Sequence, residues 1–152
     1  MPILIALTAA LVCPAEHAHY ALRHDPSVTA AFRAVPAYDD WPAGVALGVR
    51  IARTGKSYWW LPWNGGTDGR QNIASTTDVT VEGWRPPDPD GGPRPEGDRG
   101  WLGTDADFNV IDDIPRRGVA APAHFLILEA GSSHDAVFGA KQFFDLVRCD
   151  DH

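Results

Sequence analysis

Val45, Leu47, Val49 and Ile51 alternate with Ala46, Gly48, Arg50 and Ala52, the period-two pattern of a strand with one buried face. Gly55 then punctuates the chain before the aromatic run Tyr58, Trp59, Trp60, Leu61, Pro62, Trp63, so the spacing predicts a hairpin turning through residues 53–56. A two-residue loop sets Tyr58 and Trp60 beside Val49 and Ile51 and turns Trp59 and Trp63 outward. A three-residue loop of Arg53, Thr54 and Gly55 puts the glycine in the left-handed conformation it tolerates and brings Trp59, Leu61 and Trp63 onto the valine face. The tighter turn strains a β-branched threonine, so the second register is expected, with Tyr58 and Trp60 on the opposite face.

Residues 64–69 carry three glycines and read as a flexible connection. Ile73, Ser75, Thr77, Val79 and Val81 resume the alternation, completing a three-stranded meander. Residues 85–99 hold five prolines and four acidic residues with almost nothing apolar, which suits a long solvated loop. Ala106, Phe108 and Val110 alternate with polar neighbours and predict a further strand. The continuous apolar run 125–128 predicts a central strand covered on both faces.

Two segments read as helices. Asp25 and Pro26 make a good helix start, and Val28, Ala31, Phe32 and Val35 follow at helical spacing up to Pro36. Near the other end, Ser132 or Ser133 can cap a helix whose Val137, Ala140, Phe144 and Val147 share one face. The expected class is therefore α+β: mainly antiparallel β, as a meander sheet or small sandwich, with one short N-terminal and one C-terminal helix.

Composition narrows the partners. A chain of 152 residues fits one domain, and its 44% apolar content supplies a core without help from disulfides. Thirteen Lys and Arg against 20 Asp and Glu give a formal charge of −7, with basic residues scattered singly apart from Arg116 and Arg117. That balance argues against a nucleic-acid groove and against an electrostatic hold on anionic lipid. The stretch from Ile3 to Cys13 has the length of a signal-peptide apolar region and is too short to span a bilayer, so residues 1–15 read as a signal peptide and residues 16–152 as the globular domain. A secreted or periplasmic protein is expected. Cleavage after Ala15 satisfies the small-residue rule with Cys13 and Ala15, and cleavage after Ala10 satisfies it with Thr8 and Ala10. If Cys13 stays, it can pair with Cys149 and tie the two termini together; if it leaves, Cys149 is a lone thiol.

Tyr58, Trp59, Trp60, Trp63 and Trp84 crowd a short region beside Asn and Asp, the equipment of a sugar-binding surface, although large aromatics also simply fill cores. The leading reading is an exported non-catalytic domain that binds a glycan or an envelope protein through Tyr58, Trp60, Asn64, Asp68, Arg70 and Trp84. No cofactor or metal is expected. Asp105, Asp107 and Asn109 imitate a calcium loop, but Val110 stands where the turn needs Gly and Arg116 where the closing Glu belongs. His17 and His19 offer two of the three ligands that catalytic zinc wants. No G-x-S-x-G elbow is present, and the glycines at 65, 66 and 69 lack the Lys-Ser/Thr ending of a phosphate loop. The alternative reading is a small hydrolase in which His124 acts as base, oriented by Asp105, Asp107, Asp112 or Asp113.

Overall fold

The computed structural model describes residues 12–64, 71–128 and 142–151. Eight strands follow in order: β1 (Ala18–Leu22), β2 (Asp25–Ala34), β3 (Val45–Ile51), β4 (Lys56–Asn64), β5 (Gln71–Thr76), β6 (Asp98–Thr104), β7 (His124–Leu128) and β8 (Phe144–Cys149). Each pairs antiparallel with the next, and β1 pairs with β8, so the sheet closes into an up-and-down barrel without a free edge. The only helical element among the described residues is one turn of 3-10 helix at Ala15–His17.

The expected α+β class is thereby corrected to all-β. The segment read as the N-terminal helix is β2, in which Val28, Ala30 and Phe32 point inward while Thr29 and Arg33 stand outside. Alanines at 30, 31 and 34 satisfy both a helical and an alternating template, and pairing with β1 and β3 along its length decides for the strand. Most of the segment read as the C-terminal helix lies outside the described residues. Its last part, with Phe144 and Val147, is β8. The strand expected around Phe108 is a turn, and β7 is covered on one face only, with Phe125 and Ile127 inside and Leu128 exposed.

The β3–β4 hairpin carries the correction with the largest consequence. Val49 faces Tyr58 and Leu47 faces Trp60, so Tyr58 and Trp60 share the valine face. Four residues, 52–55, make the turn, with the amides of Thr54 and Gly55 both donating to the Ile51 carbonyl. Gly55 does take positive φ (69°), as expected, but a loop of four keeps the parity of a loop of two and exchanges the two faces of the expected register.

The barrel interior is filled by side chains. Trp101 stacks on Phe125 at 4.4 Å and Phe125 on Phe144 at 4.8 Å, with Tyr20 edge-on to Phe125 at 4.8 Å. The Tyr20 hydroxyl donates to the Pro122 carbonyl at 2.8 Å, and burial pushes its pKa up. A second apolar layer lies outside the wall, where Val35, Trp41, Leu61 and Ala74 pack with Trp59, Trp63 and Trp84. The proline-rich segment, expected to be solvated, docks over this layer: the Trp41 indole N–H donates to the Pro87 carbonyl at 2.9 Å, and the Arg94 guanidinium lies 5.3 Å over the Trp41 ring.

Cys13 and Cys149 form a disulfide across 136 residues, closing the ring of strands covalently beside the β1–β8 seam. Such a bond is compatible with an oxidising compartment. No helix among the described residues is long and apolar enough to cross a membrane.

Candidate functional site

Alternation that sends Val28, Ala30 and Phe32 inward from β2, and Val45, Leu47, Val49 and Ile51 inward from β3, sends Thr29, Ala31, Arg33, Gly48 and Arg50 outward. Three cross-strand rows result on the outer wall. The middle row runs Arg148, His19, Ala31, Gly48, Trp59 across β8, β1, β2, β3 and β4. Arg33 stands in the row on one side of it, and Thr29, Arg50 and Ser57 form the row on the other. Because the middle of this surface is built from Ala31 and Gly48, it sinks below its rim and forms a groove of about 750 Å³, within the range that binds small ligands.

Trp59 makes one wall. Its indole lies so close over Gly48 that a Cβ at that position would meet the ring at 2.9 Å, so glycine is what allows the ring to lie against the sheet. The ring is half-buried, packed on one side against the outer apolar layer and bordering the groove on the other. At the opposite end of the row, His19 Nε2 meets Asp150 Oδ2 at 2.6 Å, and Arg148 Nε lies 3.6 Å from Asp150 Oδ1. The His19 bond holds the Asp150 carboxyl below its ordinary range. Arg33 and Arg50 are exposed, and no carboxylate among the described residues lies within ion-pair distance of either.

Those of the residues singled out in the sequence that the structure describes stand in different surroundings. Trp60 is 0% exposed inside the barrel and offers no face to solvent. Tyr58 is half-buried and packs against the same interior cluster. Asn64 is exposed at the end of β4, while Asp68 and Arg70 lie outside the described residues. Trp84 belongs to the outer layer under the proline-rich segment, its indole N–H donating to Thr76 Oγ1 at 3.2 Å. Comparisons with protein-family models, curated proteins and solved structures found no match to this chain. Any assignment therefore rests on the geometry of its own residues. Sequence reasoning missed Arg33, Arg50 and the Trp59 face, and the signal that reaches them is the parity of the 52–55 turn combined with the β3 alternation.

His124 does find a carboxylate, but a different one. Its Nδ1 lies 2.6 Å from Asp145 Oδ1, and Arg23 donates to both oxygens of Asp145 at 2.7 and 2.9 Å. The Arg23 bonds, with His124 adding to them, hold the Asp145 carboxyl below its ordinary range. Phe108, at φ 63° and 47% exposed, stacks on the imidazole with centroids 4.3 Å apart. An imidazole oriented by a carboxylate is half of what a general base needs. Among the described residues no hydroxyl or thiol hydrogen-bonds to His124, and its ring face is occupied by Phe108. Among the described residues β7 and β8 pair at two positions, His124 with Asp145 and Phe125 with Phe144, so the His124–Asp145 hydrogen bond clamps a short seam of the barrel. Asp105, a carboxylate expected to orient His124, lies near enough to interact with it electrostatically, and its side-chain oxygen accepts the amides of Asp107 and Asn109, both at 2.9 Å. It folds its own loop. No cluster of three metal-ligating side chains occurs among the described residues.

Proposed function

We propose that this protein is an exported, non-catalytic binding domain whose ligand, a glycan of the envelope or extracellular space, lies in the groove beside Trp59. The observation that supports this reading best is a large aromatic ring fixed flat on glycine at the edge of an otherwise small-residue groove. Sugar rings present flat C–H faces that stack on such an indole, while rim side chains take the hydroxyls. The interior is an unsuitable alternative, because an eight-stranded barrel has room either for its own side chains or for one small ligand, and here Trp60, Trp101, Phe125 and Phe144 take the space.

Export is supported by the apolar opening of the sequence and by the disulfide. Cleavage after Ala10 keeps Cys13 in the mature chain, whereas cleavage after Ala15 removes it. The mass of the protein recovered from its host is expected to start at Leu11 and to fall short of the reduced chain by two hydrogens. A full-length chain with free thiols in the cytoplasm would contradict export.

Binding to a panel of immobilised oligosaccharides tests the ligand class. Trp59→Ala is expected to abolish the signal while the circular dichroism spectrum is retained, and Trp59→Phe to restore part of it. Undiminished binding by Trp59→Ala would remove the groove from the account.

A further inference from the structure

Resting on that reading, we infer that the glycan is acidic, with carboxylate-bearing sugars separated by neutral ones. Arg33 and Arg50 flank an uncharged shelf, and Glu16, His19, Arg148 and Asp150 also line the groove, which sets three guanidinium groups against two carboxylates. Arg33 stands one row to one side of the Ala31–Gly48–Trp59 row and Arg50 one row to the other. Arg33 pairs with Ala46, four residues before Arg50 on β3, which places the two arginines about 14 Å apart along the strand direction at roughly 3.4 Å per residue.

Each guanidinium is exposed and makes no ion pair among the described residues, on a protein whose formal charge is −7, although Arg33 lies near enough to Asp78 for its charge to help lower that carboxyl. Other arginines of this chain have found acids: Arg23 pairs with Asp145, Arg53 with Asp25, Arg94 with Asp98 and Arg116 with Asp113. Arg85 and Arg117 are likewise exposed without an ion pair among the described residues, but of these four only Arg33 and Arg50 line the groove. The planar fork of arginine matches a carboxylate in two parallel hydrogen bonds, so each can hold one uronate. Between them the floor is uncharged, Ala31 and Gly48 beneath and the Trp59 ring at the side. A neutral sugar fits there by stacking.

The same order disfavours a polynucleotide, the other class of chain that combines negative charge with rings that stack. Such a chain carries a phosphate at every nucleotide, so it would set charge over the shelf as well, where no cation stands. Arg148 does not fill that gap, because Asp150 lies 3.6 Å from it and compensates it.

Titration calorimetry on the full, disulfide-bonded protein separates the outcomes, with a hyaluronan oligosaccharide of alternating glucuronate and N-acetylglucosamine as the acidic probe. Its carboxyl-reduced derivative is the neutral control, and oligo(dT) the nucleic-acid control. The expected result is binding of the acidic oligosaccharide that weakens on addition of salt, about tenfold weaker binding for each of Arg33→Gln and Arg50→Gln, and no measurable binding of oligo(dT). The carboxyl-reduced oligosaccharide is expected to bind wild type no better than the acidic one binds the double Arg variant. Equal affinity for the acidic and reduced oligosaccharides, lost in Trp59→Ala but kept in both Arg variants, would overturn the acidic preference and leave the glycan reading standing. Absence of binding to either saccharide here and across the panel overturns both. Tighter binding of oligo(dT) than of the acidic oligosaccharide would replace the glycan with a nucleic acid. Both substitutions are at exposed side chains, so unchanged melting temperatures are expected, and Arg33→Lys and Arg50→Lys keep the charge while losing the fork.

Discussion

Trp59 and Trp60 are neighbours in the chain and opposites in the fold. Trp60 lies inside the barrel with no exposed surface, in the same cluster as Leu47, Val49 and Trp101, with the Arg99 guanidinium 5.5 Å over its ring. Trp59 lies on the outer wall, spread over Gly48, with its ring at the edge of a groove. One ring fills the core, and the other borders an outer groove. Composition alone makes the two look alike; the pleat of β4 separates them.

Substitutions should divide along that line. The largest effect is expected inside: Trp60→Ala removes a fully buried indole and should cost about 3–5 kcal/mol, read as a fall in the urea midpoint. Next comes the closure of the ring. Cys13→Ser with Cys149→Ser frees the two termini and should cost about 2–5 kcal/mol, because the bond spans 136 residues of the unfolded chain. A denaturation midpoint unchanged by reduction would show that strand pairing alone closes the barrel. Tyr20→Phe keeps the ring packing but leaves the Pro122 carbonyl without its donor, for an expected loss of about 1–2 kcal/mol. Trp59→Ala should cost less than Trp60→Ala, about 1–2 kcal/mol, and yet be the substitution that removes saccharide binding. Equal destabilisation by the two would erase the contrast.

A smaller effect is expected from acid. Arg23 and His124 hold Asp145 ionised below the usual carboxylate range, so in that window the native chain binds fewer protons than the unfolded one. The stabilisation is complete above about pH 5, where the unfolded carboxylate is ionised, and it is lost as pH falls through the lowered native value. Asp145→Asn should therefore flatten the acid limb of the stability profile. An acid limb identical to wild type would remove Asp145 from the seam's stability.

Where the sequence was legible, it was so because apolar and polar residues alternated without ambiguity. The β3 to β5 meander follows from Val45 to Ile51, the aromatic run and Ile73 to Ser75. Alanine blurred β2, since at positions 30, 31 and 34 it fits a helix as well as a strand. Strand β6 went unread because its inward side includes Arg99 beside Trp101, a charged residue at 7% exposure that no alternation rule anticipates. Closure was invisible for a different reason, as β1 and β8 meet across almost the whole chain and no local pattern encodes that pairing. The groove depended on one further bit of information, whether the hairpin turn holds an odd or an even number of residues. The structure answers with four.

The contrast between the two rings is tested most directly by the indole N–H signals of the six tryptophans in a heteronuclear spectrum, followed as the acidic oligosaccharide is added. The account predicts that the Trp59 signal moves with saturation while those of Trp60 and Trp101 stay in place. Movement of Trp60 or Trp101 with Trp59 unchanged would put the ligand inside the barrel and contradict the assignment of the groove.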